Sequence, residues 1–253
     1  RVRVVSQSDA LTKCPIGLDD LPMRLARHHV RRQAGWSGSY LDCFVATTNS
    51  VTREVLAHRL LDVVRYGFQL EDRSVGRAGD SWTLLRTPTP GTDNAPSADL
   101  GNSTNARLNE WFASGPDSDD WFEVFNPDTR PIDLAGHLLT DDPSLAGRTN
   151  HVIAPLTFVP AGGVVRWNAD GHPERGPDHV GFRLNAWGET LRLSTPGTAI
   201  IDSVDLVLLP YNVAEGRLPD GSPNIVRFPH SASPGTLNWV PHEGVVFQQV
   251  DRA

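Results

Sequence analysis

Two histidines and three carboxylates fall within ten residues at Asp170-Gly171-His172-Pro173-Glu174 and Asp178-His179. This is the densest set of potential ligands in the chain. Imidazole and carboxylate donors so close together could hold a hard or borderline cation, with Asp170, His172, Glu174, Asp178 and His179 as the candidate ligands. Their spacing matches no calcium loop and no zinc signature, and Gly171 and Pro173 are ordinary turn residues, so the expectation is a loop without metal. The acidic loop Asp117-Ser118-Asp119-Asp120 and the pair Asp141-Asp142 could likewise bind calcium or supply the paired carboxylates of a hydrolase. Asp and Ser in such loops more often solvate the backbone and close turns, and that reading is preferred.

Nucleophilic chemistry finds less support. Gly35-Trp36-Ser37-Gly38 is followed by Ser39 where a nucleophile elbow needs glycine. Neither Cys14 nor Cys43 sits in a recognisable catalytic context, and no phosphate-cradling glycine loop or dinucleotide fingerprint is present. No catalytic residue and no cofactor are therefore expected. His137 and His151 adjoin apolar runs and read as packed or surface histidines rather than bases. Of the seven tryptophans, Trp187 lies at a turn and is the best candidate for an exposed sugar-stacking platform. The strand-borne tryptophans read as core.

What must position these residues is a chain of short strands. Twenty-two Gly and twenty Pro punctuate short apolar runs, which argues for all-β architecture with many turns. Leu108–Pro127 reads as two strands, Arg107–Phe112 and Trp121–Asn126, joined by a polar loop, and Pro127 stops the second because it donates no ladder hydrogen bond. Further strands are expected at Pro131–Leu134, His137–Thr140, Pro155–Val159, Val164–Asn168, Phe182–Leu184, Thr190–Ser194 and Ile200–Leu209. Strands at this even spacing suit a sandwich, with Trp111, Trp121, Phe125 and Trp167 as heavy core members.

The bulk numbers exclude some functions. A net charge of −7 argues against a nucleic-acid partner, which needs a basic stripe. No apolar run approaches the ~18 residues of a membrane span, so no transmembrane segment is expected. The Arg1 start suggests a fragment, and no signal peptide is visible. Cys14 and Cys43 could pair in an oxidising compartment, but incidental free thiols are the plainer reading.

Several motifs occur in an order and spacing that resemble a lamin tail domain of the bacterial branch. They are NEW at Asn109–Trp111, DWFEVFNP at Asp120–Pro127, LTDDP at Leu139–Pro143, PAGG at Pro160–Gly163 and ADG at Ala169–Gly171. GFRLNAWGETLRL at Gly181–Leu193, IDSV at Ile201–Val204, EGRLPDGS at Glu215–Ser222 and SPGTLN at Ser233–Asn238 complete the set. The resemblance covers roughly residues 105–238 and implies an immunoglobulin-like β-sandwich. It implies a non-catalytic binding or spacer module of a secreted or cell-surface multidomain protein, with an unknown protein or polysaccharide ligand and neighbouring domains. The alternative is a substrate-recognition accessory domain of an extracellular hydrolase, and a small metal-dependent hydrolase built on the Asp170–His179 loop ranks third.

Residues 61–94 resemble the end of the same domain. Asp62 stands fourteen positions before Gly76, as Asp202 stands before Gly216, and TPTPGTDN at Thr87–Asn94 answers SASPGTLN at Ser231–Asn238. The chain thus divides into an unassigned 1–60, the C-terminal part of a first copy at 61–94, a linker at 95–104, a complete copy at 105–238 and a tail or linker at 239–253. Asn102-Ser103-Thr104 in the linker fits a glycosylation sequon, relevant only in a eukaryotic secretory route. Residues 1–60 carry nine basic against five acidic residues, so the acidic excess lies wholly in the remainder. This region reads as irregular or partly helical, with basic helices at Leu21–Arg32 and Val51–Leu61. The alternatives are a poorly ordered arm, or out-of-frame sequence upstream of Leu61.

Overall fold

The structure, a computed structural model, describes residues 29–30, 39–48, 55–113 and 120–241. Strands β1 (His29–Val30), β2 (Ser39–Thr48) and β3 (Val55–Tyr66) form an antiparallel sheet in that order. The register of the β2–β3 pair runs from Ser39 opposite Tyr66 to Thr48 opposite Val55, interrupted by two bulges. This corrects the expected helix at Val51–Leu61, most of which is strand, and the end of the expected helix at Leu21–Arg32, where His29–Val30 pairs with Leu41–Asp42. The helical spacing of apolar residues lost to a long-range ladder that local periodicity cannot register. The boundary at residue 61 also falls inside β3, which crosses it unbroken. The rest of the segment 1–60 and the tail beyond Pro241 lie outside the described residues, as does Cys14; Cys43 stands in β2 opposite Asp62.

After β3 the chain turns onto the body of the molecule. The Gly67 N–H donates to the Pro155 carbonyl at 2.9 Å, and the Phe158 N–H donates to the Phe68 carbonyl at 3.0 Å. Gly67 permits this approach, because a Cβ there would fall 2.0 Å from Thr157 Oγ1. The hairpin β4 (Val75–Ala78) and β5 (Ser81–Leu84) follows. Leu84, Val64, Leu156 and Phe158 make a second core cluster, with Leu70, Trp82, Ala98 and Leu100 packed on it. Residues 95–104, expected as a weakly ordered linker, are held by backbone bonds: Ala98 to Leu84, Arg86 to Pro96 and Gly101 to Pro131. Their small apolar side chains find a ready-made surface, which composition alone does not reveal.

The remaining strands form an all-β sandwich. One layer is five-stranded, in the order β12 (Val164–Asn168), β7 (Trp121–Phe125), β6 (Arg107–Phe112), β15 (Ala214–Arg217) and β16 (Ile225–Phe228). The other is four-stranded, in the order β10 (His151–Val152), β9 (Leu138–Thr140), β13 (Glu189–Ser194) and β14 (Ile200–Leu206). A short pair, β8 (Ile132–Asp133) with β11 (Phe158–Val159), completes the strands among the described residues. Every named pair is antiparallel. Leu108, Trp111, Phe122, Val124 and Trp167 from the first layer meet Leu139, Leu191, Leu193, Val204 and Leu206 from the second in one buried core. Phe122 stacks on Trp167 and on Phe182, each at 6.1 Å, and Phe68 meets Trp167 edge-on at 4.9 Å. Fully burying each such side chain contributes about 1.5–3 kcal/mol, which makes this the main source of cohesion.

Phe182–Leu184 is not a strand. The backbone N–H groups of Val180 and Gly171 bond to Asn168 and Phe182 carbonyls respectively, so the segment crosses the Asp170 loop with one isolated bridge, Asp170 to Arg183. No helix among the described residues is long and apolar enough to cross a membrane.

Candidate functional site

In β6 and β7 the chain places charges where apolar residues are the rule. Glu110 stands between Asn109 and Trp111, and Glu123 between Phe122 and Val124; all six are fully buried. Strand alternation accounts for part of this. Phe122 and Val124 point into the main core, whereas Trp121 joins Phe112, Ala214 and Phe228 in a separate apolar cluster. Glu123, between two core-facing residues, must therefore look away from that core. A bulge between Leu108 and Trp111 re-aims the β6 residues between them.

That outward-facing ground is covered by the segment after β16. The Ser233 N–H stands 3.2 Å from both Glu110 carboxylate oxygens, and its hydroxyl donates to Oε2 at 2.9 Å. The Gly235 N–H donates to Glu123 Oε1, while Glu123 Oε2 is buried with no hydrogen-bond partner among the described residues. Asn238 donates from Nδ2 to the Arg217 carbonyl at 2.9 Å and the Asn109 carbonyl at 3.3 Å. Asp220 Oδ1 accepts from the Asn238 N–H at 2.9 Å and from Asn109 Nδ2 at 2.8 Å, and Asn109 Oδ1 accepts from the Gly221 N–H. Burial pushes the Glu110 carboxyl up to about 7 against the Ser233 bonds, with the Asp220 charge adding to it. Burial likewise pushes Glu123 up to about 8, with Glu110 and Asp220 adding to the rise and the Gly235 N–H and Arg166 opposing it.

A buried ion pair lies beside this knot and joins the two layers. Arg217 Nη2 contacts Asp202 at 3.1 and 3.2 Å, Arg217 Nε donates to the Leu108 carbonyl, and the Leu108 N–H donates to Asp202 Oδ2 at 2.9 Å. The sequence reading used Asn109–Trp111, Glu123, Asp202, Gly216-Arg217, Asp220 and Ser233–Asn238 as motif positions without giving them a role. Their tertiary convergence is what it missed. The available signal was Glu123 set between Phe122 and Val124, with Glu110 beside Trp111 in the neighbouring strand.

The candidate ligands of the Asp170 loop are engaged with each other and with cations of the chain. Asp170 is buried and accepts from the His172 N–H at 2.9 Å, Arg175 Nη1 at 2.8 Å and His179 Nδ1 at 2.8 Å. Burial alone would raise its carboxyl, but these three partners outweigh it and hold Asp170 below the ordinary range. His172 pairs separately with Glu174 at 2.9 Å, and Asp178 stands 3.8 Å from His179 Nε2. The Arg175 guanidinium thus supplies at Asp170 the positive charge a metal would bring. Among the described residues, no group of three or more His, Cys, Asp or Glu is arranged to hold a metal ion.

The other candidates are dispersed. Asp142 accepts from the Ser144 N–H, which holds its carboxyl low, and Asp141 accepts from Asn150 Nδ2 at 3.0 Å. Asp117–Asp119 lie outside the described residues, as does Gly35–Gly38. Burial pushes Glu189 up to about 7, and Asp141 and Asp120 add to that. His137 is buried and bonds Ser103 Oγ at 3.1 Å; His151 is buried in β10, where burial pushes it down to about 4. Trp187 is 83% exposed at the turn closed by the Gly188 N–H on the Asn185 carbonyl. The exposed Leu208 lies opposite, where the Leu209 N–H bonds the Ala186 carbonyl.

Comparison with protein-family models, with curated proteins and with solved structures finds no match to this chain.

Proposed function

We propose that this chain carries an immunoglobulin-like sandwich of the lamin tail type and serves as a non-catalytic binding or spacer module of a secreted or surface-attached bacterial multidomain protein. One observation carries the reading. Asn109, Glu110, Glu123, Asp202, Arg217, Asp220, Ser233 and Asn238, from five of the resembling motifs, converge on one buried network whose hydrogen bonds join strands to one another, so their chemistry is spent on architecture. The partial first copy has support in a matching bond outside that network: Asn94 Nδ2 donates to the Arg77 carbonyl at 3.0 Å, as Asn238 Nδ2 does to the Arg217 carbonyl.

The test is turnover on ester, phosphate and glycoside substrates, with and without a chelator. The expected result is none in either condition. Metal-dependent turnover abolished by His172→Ala or His179→Ala would overturn the reading in favour of a hydrolase built on the Asp170 loop.

Trp187 favours a second reading, the substrate-recognition accessory of an extracellular hydrolase. An indole face held out at a turn is suited to stack on a sugar ring, since it loses little side-chain entropy on binding. Retention on insoluble polysaccharides that disappears in Trp187→Ala supports that reading, and retention unchanged in the variant removes it.

A further inference from the structure

The segment after β16 is fastened in two different ways. At its start Phe228 is fully buried against Phe112, Trp121 and Ala214, and at its end the Asn238 side chain is bonded to backbone carbonyls of β6 and β15. Neither anchor titrates. Between them the arch Ser231–Leu237 touches the sheet through the Ser233 N–H and hydroxyl on Glu110 and the Gly235 N–H on Glu123. Pro234, Gly235, Thr236 and Leu237 are otherwise exposed. The arch is therefore pinned at both ends by neutral contacts and tied in the middle by two carboxyl groups, with the Ser233 hydroxyl also 3.1 Å from Asn238 Oδ1.

We propose that Ser231–Leu237 is a proton-gated arch, closed while the Glu110–Glu123 pair keeps a proton and lifted when the pair becomes fully ionised. Backbone N–H donors favour the charged form of each carboxyl, but burial outweighs them at both, and two charges together fare worst. Glu110, Glu123 and Asp220 bring three carboxylates together from β6, β7 and the β15–β16 turn. Among the described residues, Arg166 of β12 opposes the rise at Glu123, but its Nη2 is also engaged by Asn168 Oδ1 at 3.1 Å. Arg217, the nearest cation on β15, is turned to Asp202, and Arg227 of β16 is paired with Glu215. A second buried negative charge without a partner is costly, and admitting water relieves it. The arch is the part of the cover that can move without disturbing a strand. The orphaned Glu123 Oε2 faces the same demand, since once ionised it needs a hydrogen-bond donor, which entering water supplies.

The sign follows from the raised carboxyls. Protons bound at about 7 and about 8 in the closed form, against 4.5 ordinarily, stabilise closure fully below about pH 4.5. That contribution falls as pH rises and is gone above about pH 8. The two groups titrate as a pair, so the transition belongs to both.

The experiment is amide hydrogen exchange of the full chain between pH 5 and pH 9, corrected for intrinsic exchange rates. Protection at Ser233 and Gly235 is expected to fall at least about tenfold across this range, the change that a single linked proton produces per pH unit. The amides of β13 and β14 should keep theirs. In Glu123→Gln, which retains an acceptor but cannot ionise, the loss should shrink to the share carried by Glu110; Glu110→Gln is the parallel variant should the first fail to fold. A flat wild-type profile overturns the proposal, as does a variant that loses protection as steeply as wild type. Calcium chloride that restores protection at pH 9 would also overturn it, by making the pair a cation site.

Discussion

Trp121 shows how much a side chain's role depends on which face it takes. The sequence marks it as core, and it is 7% exposed, but it stacks on Phe112 at 5.7 Å under the outer cluster rather than in the main core. Trp121→Ala is expected to destabilise by about 3–5 kcal/mol, as large aromatic truncations do. A midpoint shift worth less than about 1 kcal/mol in denaturant unfolding would show that the outer cluster contributes little. His151 makes an opposite point about polarity. It is held neutral, with Nε2 unpartnered, and a positive charge there would have no counterion among the groups acting on it. Its folded value of about 4 lies below the ordinary 6.5, so its contribution is fully present above about pH 6.5 and is lost as pH falls through about 4. The size is on the order of 3 kcal/mol. His151→Phe should flatten the pH dependence of the urea midpoint across that window, and an unchanged slope would remove His151 as the cause. Sequence marked His151 as a packed or surface histidine, and left open both its burial and the exclusion of a proton that goes with it.

Among the elements, the hairpins were the legible part. β6, β7, β12 and β13 lie within a residue of their expected limits because large apolar residues and turn signals bound them. β15 was read only as motif and β16 not at all, since Ala214–Arg217 has no apolar alternation to betray a strand. Its position is fixed by neighbours instead. Gly216 pairs with Glu110, and a Cβ there would stand 2.5 Å from the Asn109 carbonyl oxygen and 2.9 Å from Asn238 Nδ2. Gly216→Ala must push β15 away from β6 and strain the Asn238 anchor, at about 1–3 kcal/mol by the usual penalty for overpacking. Thermal unfolding measures this, and an unchanged Tm would mean that β15 yields freely. The N-terminal helices failed for the converse reason. Local spacing favoured them, and a partner strand decided against them.

At the scale of the whole molecule, residues 105–238 do not hold their core alone. Phe68 sets its edge against Trp167, and the 66–70 segment bonds along Pro155–Phe158. Phe68→Ala is expected to lower stability by about 1.5–3 kcal/mol, and a chain beginning at residue 104 by at least as much. Equal unfolding midpoints for full chain and truncation would make the N-terminal half a passive neighbour. Opposing titrations also set the optimum. His151 weakens the fold toward acid, and Glu110 and Glu123 weaken it toward alkali, so the balance of these three favours mildly acid conditions. The sequence by itself determined the all-β class, the main hairpins and the residues able to fill a core, because those follow from apolar spacing and turn chemistry within a few residues. It also determined that the Asp170 loop would be polar. Only the tertiary structure decided that Arg175 and His179 share Asp170 Oδ2, that Glu110 and Glu123 lie buried under Ser233 and Gly235, and that Asp202 meets Arg217. Those partners are up to 123 residues apart, and their charges are set by burial that no local pattern encodes.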